Sequence, residues 1–439
     1  MSAPYPSWGG IHAPNQTPRP LYNRHAALPR NPDAPQLPRG MGRSYGDVCL
    51  NPDGELLLTP ALDRLIAFDP QTGRLQCEAG LTMRALLDFA VPRGWFPPVT
   101  PGTAHVTLGG CIANDVHGKN HHRAGTFGAH VLSFELLRHD GARLHCSRTS
   151  HADRFRATIG GLGLTGLITR LELQLRPIHN PWMQAESIAF PHLNAFWELT
   201  AASDTNWEYT VAWIDTLATG DQLGRGIFHR GKHAPAGITG TTPKKTPRAT
   251  VPIHAPARLL NRHTIRAFNH RYRRTAPHSL QPVHYQPFFY PLDTLGHWNK
   301  LYGRPGFFQH QSLLPADAAP KALPRLLRRI AESDQASFLA VLKCFGNQSP
   351  EGLLSFPRAG VTLALDFPNR GDPTRTLLHE LNRITLDHGG ALYPAKDATM
   401  TPEHFHASHP ALDLFLPHVD PAFSSGFARR VHLHKSPKS

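Results

Sequence analysis

The segment NDVHGKNHHRAGTFG, residues 114–128, concentrates side chains that could do chemistry. Its histidines could bind a metal, its glycines and lysine could surround a phosphate, or its polar groups could line a cofactor. His117 and His121 have the HxxxH spacing of helical metal ligands. However, Gly118 and Asn120 lie between them and disfavour a helix, and no nearby Cys or carboxylate pair completes a ligand shell. We therefore expect no metal here, and the phosphate and cofactor alternatives stay open.

Three glycine-rich segments indicate a ligand with a phosphate-bearing tail. They are PRGMGRSYGD (38–47), TPGTAHVTLGG (100–110) and GGLGLTG (160–166). Consecutive small residues with exposed N–H groups form anion nests that can hold a pyrophosphate, although each segment alone could be a set of tight turns. The GxGxxG in the third segment runs into an alternating strand instead of a helix, so it is not a dinucleotide fingerprint. No GxSxG elbow of a serine hydrolase is present.

The first part of the chain mixes short strands with helices. Alternating or apolar runs predict strands at 55–60, 75–80, 131–141 and 167–177. A helical pattern covers residues 82–94 and is closed by Gly94. These elements must position the three glycine-rich segments and the histidine segment.

A second pattern begins near Gly306 and predicts a different kind of sheet. Strands are expected at 306–315, 337–346, 360–368 and 391–396, with helices at 321–334 and 374–390. The order βαββαβ is the ferredoxin-like split arrangement. One antiparallel sheet with both helices on one face leaves its other face free to cover a ligand. The predicted fold class is therefore α+β, with an irregular segment carrying one basic helix at about 231–285.

Periodicity alone groups several side chains of this sheet by the face that they share. Gln309 and Gln311 are two residues apart on one strand and share a face. In the strand 360–368, Ala364 alternates with apolar neighbours and lies on the face opposite to theirs. Lys343 interrupts an apolar strand, which is unfavourable unless its charge meets an anion.

Charge is distributed unevenly along the chain. The formal net charge is +14, and residues 222–292 contain twelve Lys or Arg and no Asp or Glu. Such a segment favours an anionic partner, either a membrane surface, a phosphorylated substrate or nucleic acid, although a solvated basic loop is an equally simple explanation. Nucleic acid is disfavoured, because the positive charge lacks interleaved aromatic residues outside Tyr272.

Compartment signals are few. The start MSAPYPSWGG lacks a basic segment followed by an apolar one, and no apolar run approaches the roughly 20 residues that span a bilayer. Five scattered cysteines without a CxxC fit reduced thiols. We expect a cytoplasmic protein, with peripheral contact at the inner face of the cell membrane through its basic segment.

Several motifs resemble one family of flavoproteins. RGMGRSYGD, VTPGTAHVTLGGCIANDVHGKNHHRAGTFGAHV and ATIGGLGLTGLIT are similar to the FAD domain of vanillyl-alcohol-oxidase-type (VAO/PCMH-type) proteins. HGKNHH, YPAKDATMTPEHFHA and DPAFSSGFARR are similar to one branch, the decaprenylphosphoryl-β-D-ribose oxidases. The resemblance implies an FAD-binding domain at 1–178 plus 391–439. It also implies a substrate domain at 179–390 that includes the ferredoxin-like pattern and the basic insertion.

The resemblance also implies site residues. Expected contacts to FAD are Arg39, Gly40, Met41, Gly42, Arg43, Ser44, Tyr45, Pro101, Gly102, Thr103, Thr107, Gly109, Gly110, Asn114, His117, Gly118, Asn120, His121, Gly125, Gly161, Gly166 and Ile168. Expected catalytic residues are Lys396, Tyr45, His117 and Lys119, and expected substrate contacts are Gln309, Gln311, Lys343 and Ala364. No metal is expected.

The implied chemistry is oxidation of a secondary alcohol. Flavin takes a hydride and a base takes the hydroxyl proton. Lys396 is the candidate base, with a lowered pKa; the alternative is that it only donates a hydrogen bond to a flavin carbonyl. Lys343 and Lys119 could hold a substrate phosphate. The sequence departs from the family pattern at Arg43, where some relatives attach FAD through a His, and at Ala364, where well-known members carry a Cys.

The sequence-based hypothesis is therefore an oxidase with non-covalent FAD. Its substrate is a lipid-linked phosphosugar, polyprenylphosphoryl-β-D-ribose, oxidised at the 2′-hydroxyl. A separate short-chain reductase would complete the epimerisation to the arabinose donor used in the cell envelope. The alternative is a soluble aldonolactone or sugar-alcohol oxidase with the same flavin fold. A non-enzymatic nucleic-acid-binding protein is the rival from another class.

Overall fold

The structure is a computed structural model that describes residues 5–29, 34–240, 249–256 and 259–433. Two stretches of the basic segment, 241–248 and 257–258, lie outside the described residues, as do both ends of the chain. The statements on the basic segment below concern its described residues.

The first part of the chain forms three small sheets. A parallel sheet has the order β1-β3-β2, with β1 Thr17–Pro20, β2 Gln36–Arg39 and β3 Glu55–Leu58. An antiparallel five-stranded sheet has the order β4-β5-β9-β7-β8, with β4 Leu65–Phe68, β5 Arg74–Glu78, β7 Val131–Leu137, β8 Arg143–Ser147 and β9 Leu167–Gln174. The third sheet pairs β6 Trp95–Phe96 with β10 Arg176–Pro177. The predicted strands of this part are confirmed.

Four short helices accompany these sheets: α1 Met83–Ala90, α2 Leu108–Ala113, α3 His121–Ala124 and α4 Ala152–Thr158. The Thr82 side chain caps α1 by accepting the Ala85 N–H. The helix predicted over 82–94 is five residues shorter as an α-helix. A 3₁₀ turn follows Ala90, because Pro92 cannot donate the next helical hydrogen bond.

The C-terminal segment returns to this first part. It contains α10 Pro402–Ser408, α11 Leu412–Phe415 and α12 Gly426–Arg430. Phe405, Phe415 and Phe427 are buried with Ala157 and Leu164 in one apolar cluster. The Ser424 N–H also donates to the Gln36 carbonyl beside β2. The C-terminal segment therefore shares a core with residues near the start of the chain.

The middle of the chain forms one eight-stranded antiparallel sheet with the order β15-β11-β13-β12-β18-β19-β17-β20. Its strands are β11 Trp182–Phe190, β12 Tyr209–Ile214, β13 Gly226–His233, β15 His278–His284, β17 Phe307–Leu314, β18 Ala340–Phe345, β19 Gly360–Pro368 and β20 Ala391–Leu392. Its helices are α5 Leu193–Ser203, α6 Arg262–Thr275, α7 Tyr285–Phe289, α8 Ala319–Glu332 and α9 Asp372–Asp387. Two short strands, β14 Ala249–Thr250 and β16 Leu295–Gly296, pair separately.

The predicted ferredoxin-like unit is confirmed and is present twice. The elements β17-α8-β18-β19-α9-β20 follow the βαββαβ order, and their strands lie side by side as β20-β17-β19-β18. The elements β11-α5-β12-β13-α6-β15 repeat this order, and their strands lie as β15-β11-β13-β12. The two units meet between β12 and β18, where only Ala212 with Leu342 and Trp213 with Val341 are paired.

The β11–β15 unit was not predicted, because its last strand, β15, lacks an alternating pattern. Strand β15, HSLQPVH, is an edge strand and is mostly exposed. The segment 231–285 was expected to be irregular apart from one basic helix, and this prediction is wrong for β15 and for the end of β13. Pro282 in β15 is compatible with pairing because an edge strand leaves one side of its backbone unpaired.

The two faces of the sheet differ in chemistry. Helices α5, α8 and α9 cover one face, and Leu363, Leu365 and Phe367 of β19 are buried there with the apolar sides of α8 and α9. The intervening residues of β19 point to the opposite face, which we call the cavity face. This alternation matches the predicted register of the strand.

Helix α6 lies at the end of the sheet, near the junction of β12 and β18. The Arg262 guanidinium donates to the Ser333 and Ala331 carbonyls at the end of α8. Ile265 is buried with Leu217 and Ala336. The basic helix predicted in this segment is present, and most of its apolar side packs on the protein itself.

Candidate active site

A cavity of ≈ 570 Å³ lies between the first part of the chain and the cavity face of the sheet. This volume is in the range of ordinary ligand sites. Of the residues expected to contact FAD, those that line the cavity are Arg39, Gly40, Met41, Gly42, Arg43, Ser44, Tyr45, Pro101, Gly102, Thr103, Thr107, Gly109, Gly110, Asn114, His117, Gly166 and Ile168.

Two glycine-rich segments form one wall of the cavity and approach each other closely. A Cβ atom at Gly40 would lie 2.3 Å from the Thr107 hydroxyl, so only glycine fits there. The same hydroxyl accepts the Gly110 N–H at 3.2 Å and caps α2. Gly42 has a φ of +61°, which favours glycine in the turn. The wall is therefore mostly backbone, as close approach to a ligand requires.

The third glycine-rich segment lies beside this wall. It follows α4 and leads into β9, so no strand precedes it and no helix follows. This confirms that it is not a dinucleotide fingerprint. Gly163 and Gly166 line the cavity, with φ of +78° and +137°. Gly161 does not, because it packs against the helix: a Cβ there would lie 2.2 Å from the Ala157 carbonyl oxygen.

The histidine segment is divided between the cavity and the protein interior. Asn114 and His117 line the cavity. Within the described residues, the Asn114 Oδ1 and His117 Nδ1 atoms are buried and have no hydrogen-bond partner. A buried polar atom without a partner is unfavourable, so both atoms fit a ligand that hydrogen-bonds from inside the cavity.

Five residues expected at the site lie behind the cavity wall. Lys119 donates to the Phe288 carbonyl and lies over the Phe288 ring. Asn120 donates to the Pro98 carbonyl at 2.9 Å. The other three are Gly118, which accepts from Lys343, His121, whose ring packs against Phe345 at a tilt, and Gly125, which lies beside Gln348.

The helix α3 explains most of this division. It begins at His121, so the residues around its start turn away from the cavity. We expected Lys119, Gly118, Asn120, His121, Gly125 and Gly161 at the ligand, and the structure places none of them in the cavity wall.

The cavity face of the sheet supplies the opposite wall. Gln309, Gln311, Lys343 and Ala364 all line the cavity, together with Thr362 and Asp366. The Gln311 amide donates to Thr362 Oγ1 and lies 3.1 Å from His117 Nε2. If that amide NH₂ donates, His117 carries its proton on Nδ1, the atom without a partner. Burial, and then Lys343, lowers the pKa of His117 far below its ordinary value, which keeps the ring neutral.

Two lysines face the cavity with lowered pKa values. The Lys396 Nζ lies 3.7 Å from the centre of the Tyr45 ring, in cation–π geometry. Burial lowers the pKa of Lys396, and the Asp366 carboxylate acts in the opposite direction. The Lys343 Nζ donates to the Gly118 carbonyl at 3.3 Å, and burial followed by the charges of Lys119 and Lys396 lowers its pKa to about 7.

Residues 291–298 contribute to the cavity and were not predicted. Leu292, Asp293, Leu295 and Trp298 line it. Asp293 accepts hydrogen bonds from the Thr103 hydroxyl at 2.7 Å and from the Ala104 N–H at 2.8 Å. This contact connects the segment to a glycine-rich wall, and no periodicity in the sequence indicates it.

Asp366 was also missed as a site residue. The alternation of β19 already placed it on the same face as Ala364, and a carboxylate on a ligand-covering face was the available signal. Within the described residues, no group of three or more His, Cys, Asp or Glu is arranged to hold a metal ion.

The cavity fits the FAD that the sequence motifs imply. Its glycine backbone wall suits close approach of a pyrophosphate. The unpartnered Asn114 and His117 atoms suit a polar ring system. Lys396 and Lys343 suit a site where negative charge develops or binds.

Comparisons with known proteins identify the family of the chain. The FAD binding domain model matches residues 26–147. Over 414 residues the chain is 36% identical to the decaprenylphosphoryl-β-D-ribose oxidase of Mycolicibacterium smegmatis, covering 90% of this chain and 89% of that protein. An uncharacterized protein of Streptomyces coelicolor is 33% identical over 80% of this chain and its own full length. Mouse L-gulonolactone oxidase is 29% identical over only 31% of each chain.

These findings confirm the fold class, the FAD cofactor and the oxidoreductase assignment made from the motifs. The cavity joins glycine-rich backbone to a sheet that carries amide, carboxyl and amine side chains. The chain belongs to the decaprenylphosphoryl-β-D-ribose oxidase family of FAD-dependent oxidoreductases, and it has the VAO/PCMH-type FAD-binding fold.

Proposed function

We propose that the chain oxidises the 2′-hydroxyl of a polyprenylphosphoryl-β-D-ribose and forms the 2-keto sugar. The observation that carries this proposal is the similarity over nine-tenths of the chain to a protein with that type of substrate in its name. The cavity supports it, because Lys343, whose amine donates to the Gly118 carbonyl, lines the wall where a phosphorylated sugar would bind.

The proposed roles follow the geometry. Bound FAD supplies the hydride acceptor. Lys396 takes part in removing the hydroxyl proton, and the face of the Tyr45 ring contacts the Lys396 amine in cation–π geometry. In the alternative, Lys396 only donates a hydrogen bond to the cofactor. Gln309 and Gln311 orient the sugar. Lys343 is the candidate partner for the substrate phosphate. Lys119 would affect the site only through its charge, because its amine lies behind the cavity wall and donates to the Phe288 carbonyl.

We propose that FAD is held without a covalent bond. Arg43 lines the cavity and cannot form the bond that a His forms in some relatives. Its guanidinium lies 4.1 Å from the centre of the Trp8 ring, and Arg43 Nε donates to the His105 carbonyl. Cys49 and Cys111 also line the cavity, but burial raises the pKa of both thiols and so disfavours the reactive thiolate.

The decisive experiment compares substrates by anaerobic bleaching of the bound flavin. Polyprenylphosphoryl ribose should bleach the flavin quickly, whereas free ribose, ribose 5-phosphate and aldonolactones should not. Fast bleaching by an aldonolactone, with none by the lipid-linked sugar, would favour the soluble sugar oxidase and overturn the proposal. Bleaching by ribose 5-phosphate at an equal rate would show that the lipid is not recognised.

A second enzyme is needed to complete an epimerisation. The 2-keto product must regain a hydride on the opposite face, and this chain is proposed only to remove one. We propose a separate short-chain reductase as the partner that consumes the keto sugar. Incubation of the oxidase with substrate should accumulate the keto sugar, and formation of the arabinose epimer by the oxidase alone would contradict the need for a partner.

We also propose peripheral contact with an anionic membrane, in the cytoplasm, through α6. Among the helices of the described residues, none combines the length and the apolarity that a bilayer crossing requires. Arg266, Arg271 and Arg274 of α6 are exposed, and Phe268 is 42% exposed beside them. Because most of the apolar side of α6 packs on the protein, attraction to anionic headgroups would supply most of the binding.

A matched pair of triple variants tests the membrane contact. Replacing Arg266, Arg271 and Arg274 by Ser should weaken binding to anionic liposomes by about 3 kcal/mol, since each basic residue near such a surface contributes about 1 kcal/mol. The control replaces three exposed basic residues of α8, Lys321, Arg325 and Arg328, by Ser and changes the net charge equally. Equal losses in both variants would assign the binding to net charge and refute a role for α6.

A further inference from the structure

Asp366 is a carboxylate inside the cavity that the roles above leave unused. It lies on β19 directly opposite Gln309 of β17, and its side chain lines the cavity. The residue is 1% exposed. A buried carboxylate is unfavourable unless it is paired, hydrogen-bonded or protonated, so its presence at this place needs an explanation.

The surroundings hold the carboxylate in a fixed position. The Gln309 amide donates to Asp366 Oδ1. The Asp366 backbone N–H donates to the Ser337 hydroxyl at 3.0 Å, which fixes the strand at this residue. Tyr302, which is buried, and Tyr45, which is partly buried, also lie near this carboxylate, and burial followed by the Asp366 charge raises the pKa of both phenols. The group is therefore pre-oriented toward the cavity.

Lys396 is the cation within electrostatic reach of Asp366. Both side chains line the same cavity, and each affects the pKa of the other. The Lys396 ammonium also lies over the Tyr45 ring, and a ring face favours the charged form of an amine. Burial lowers the pKa of Lys396 only to about 8, so at neutral pH most of the amine is already protonated and Lys396 alone is a poor base.

We propose that Asp366 is the proton acceptor of the oxidation and works with Lys396 as a pair that holds one proton before the reaction and two after it. This inference rests on the proposed function for the identity of the alcohol. The alcohol carbon gives up a hydride with both C–H electrons, the O–H pair becomes the second bond of the carbonyl, and the proton passes to Asp366. The pair gains one positive charge, opposite in sign to the charge of the transferred hydride.

The environment of Asp366 is suited to this role. Burial raises the pKa of its carboxyl above the ordinary range, while the Gln309 amide and then the Lys396 charge act against the rise. A base is most effective when its pKa lies near the working pH. Because Asp366 must be ionised to accept a proton, the rate of flavin reduction should rise with pH through this raised pKa and level off above it.

The test uses the FAD-loaded protein and two isosteric variants. Asp366→Asn keeps a carbonyl oxygen for Gln309 but cannot hold the proton. Asp397→Asn is the matched control, because Asp397 follows Lys396 in the chain yet turns away from the cavity to Arg430 and the Met400 N–H. Asp366→Asn should slow anaerobic flavin reduction by roughly 10²–10⁴-fold, the usual range for a lost general base, and should remove the pH dependence. Asp397→Asn should retain both.

Infrared spectroscopy supplies a second measurement that needs no substrate. Burial also raises the pKa of the Asp115 carboxyl, to about 6, so the measurement is a difference between proteins. Subtracting the spectrum of Asp366→Asn from that of the unmodified protein should leave a C=O band that titrates above the ordinary Asp range, and subtracting that of Asp397→Asn should leave none. The absence of that difference band, or an Asp366→Asn variant that keeps the original rate and pH profile, overturns the inference. If no lipid-linked ribose bleaches the flavin, the proposed function fails, and the infrared titration still decides whether Asp366 holds the proton.

Discussion

Lys343 should make the binding of an anionic substrate strongly pH-dependent. Its amine is partly open to the cavity but lies deep within the protein, and its pKa falls from 10.5 to about 7. At 1.36 kcal/mol per pKa unit, this shift disfavours the ammonium form by at most about 5 kcal/mol. A phosphate bound beside the amine restores the charged form. Binding above pH 7 therefore requires uptake of a proton.

The size of the effect follows from this linkage. The amine is half neutral at pH 7 and loses its proton about tenfold per pH unit well above that pKa, so Kd should rise about 50-fold between pH 7 and pH 9. The ligand should be a polyprenylphosphoryl 2-deoxyribose, which cannot be oxidised at the position of interest. Titration calorimetry in buffers with different ionisation enthalpies would give both Kd and the number of protons taken up.

Two variants at the same position make this prediction decisive. Lys343→Arg keeps a positive charge at all the pH values used, so it should bind the ligand with little pH dependence. Lys343→Met removes the charge and should bind weakly at every pH. A Kd that stays constant from pH 6 to pH 9, or the original pH dependence in Lys343→Arg, would refute the assignment of the phosphate contact to Lys343.

Three further predictions concern the cofactor and the cavity wall. Lys396→Ala should retain FAD but slow flavin reduction by about 10²-fold or more, and near-normal reduction in stopped-flow measurements would remove Lys396 from the proton transfer. Acid precipitation should release the yellow flavin into the supernatant, because Arg43 offers no attachment point, and flavin in the pellet would contradict this. Nitroaromatic compounds activated by the flavin should leave the unmodified protein unlabelled, whereas Ala364→Cys should form a turnover-dependent adduct and retain activity. Mass spectrometry of the intact protein and of its peptides checks this. Cys344 packs on the helix-covered face, and burial raises the pKa of the cavity-lining Cys49 and Cys111 thiols. An adduct on the unmodified chain would contradict the prediction, and one at Cys344 would show a wrong register.

The parts of the site that follow a strict period were predictable. The alternation of β19 placed Ala364 on the cavity face, and the spacing of Gln309 and Gln311 placed both at the same wall. A strand with one buried face leaves no freedom in register, since a shift by one residue would expose its whole apolar set. The resemblance then identified the glycine-rich segments that no periodicity could assign to a ligand.

The parts that failed lack such a constraint. In the histidine segment, the start of α3 separates His117, which lines the cavity, from His121, which packs on Phe345. Nothing in the local spacing sets that helix start. Asp293 reaches the cavity through a tertiary contact with Thr103, 190 residues away in the chain. The edge strand β15 is mostly exposed, so its sequence carries no burial pattern to detect.

The repeated βαββαβ unit has a consequence for how this sheet arose. Two copies of one unit with the same strand order, joined edge to edge, have the arrangement of a symmetric dimer whose subunits have become one chain. In a dimer of identical subunits, any change on one cavity face appears on both. Fusion removes that restriction. The β17–β20 copy now carries Lys343 and Asp366 at the cavity, while the β11–β15 copy uses the same face, at Met183 and Tyr209, to join the core around Phe96. One copy therefore carries these cavity-lining side chains, and the other packs the sheet on the core of the first part of the chain.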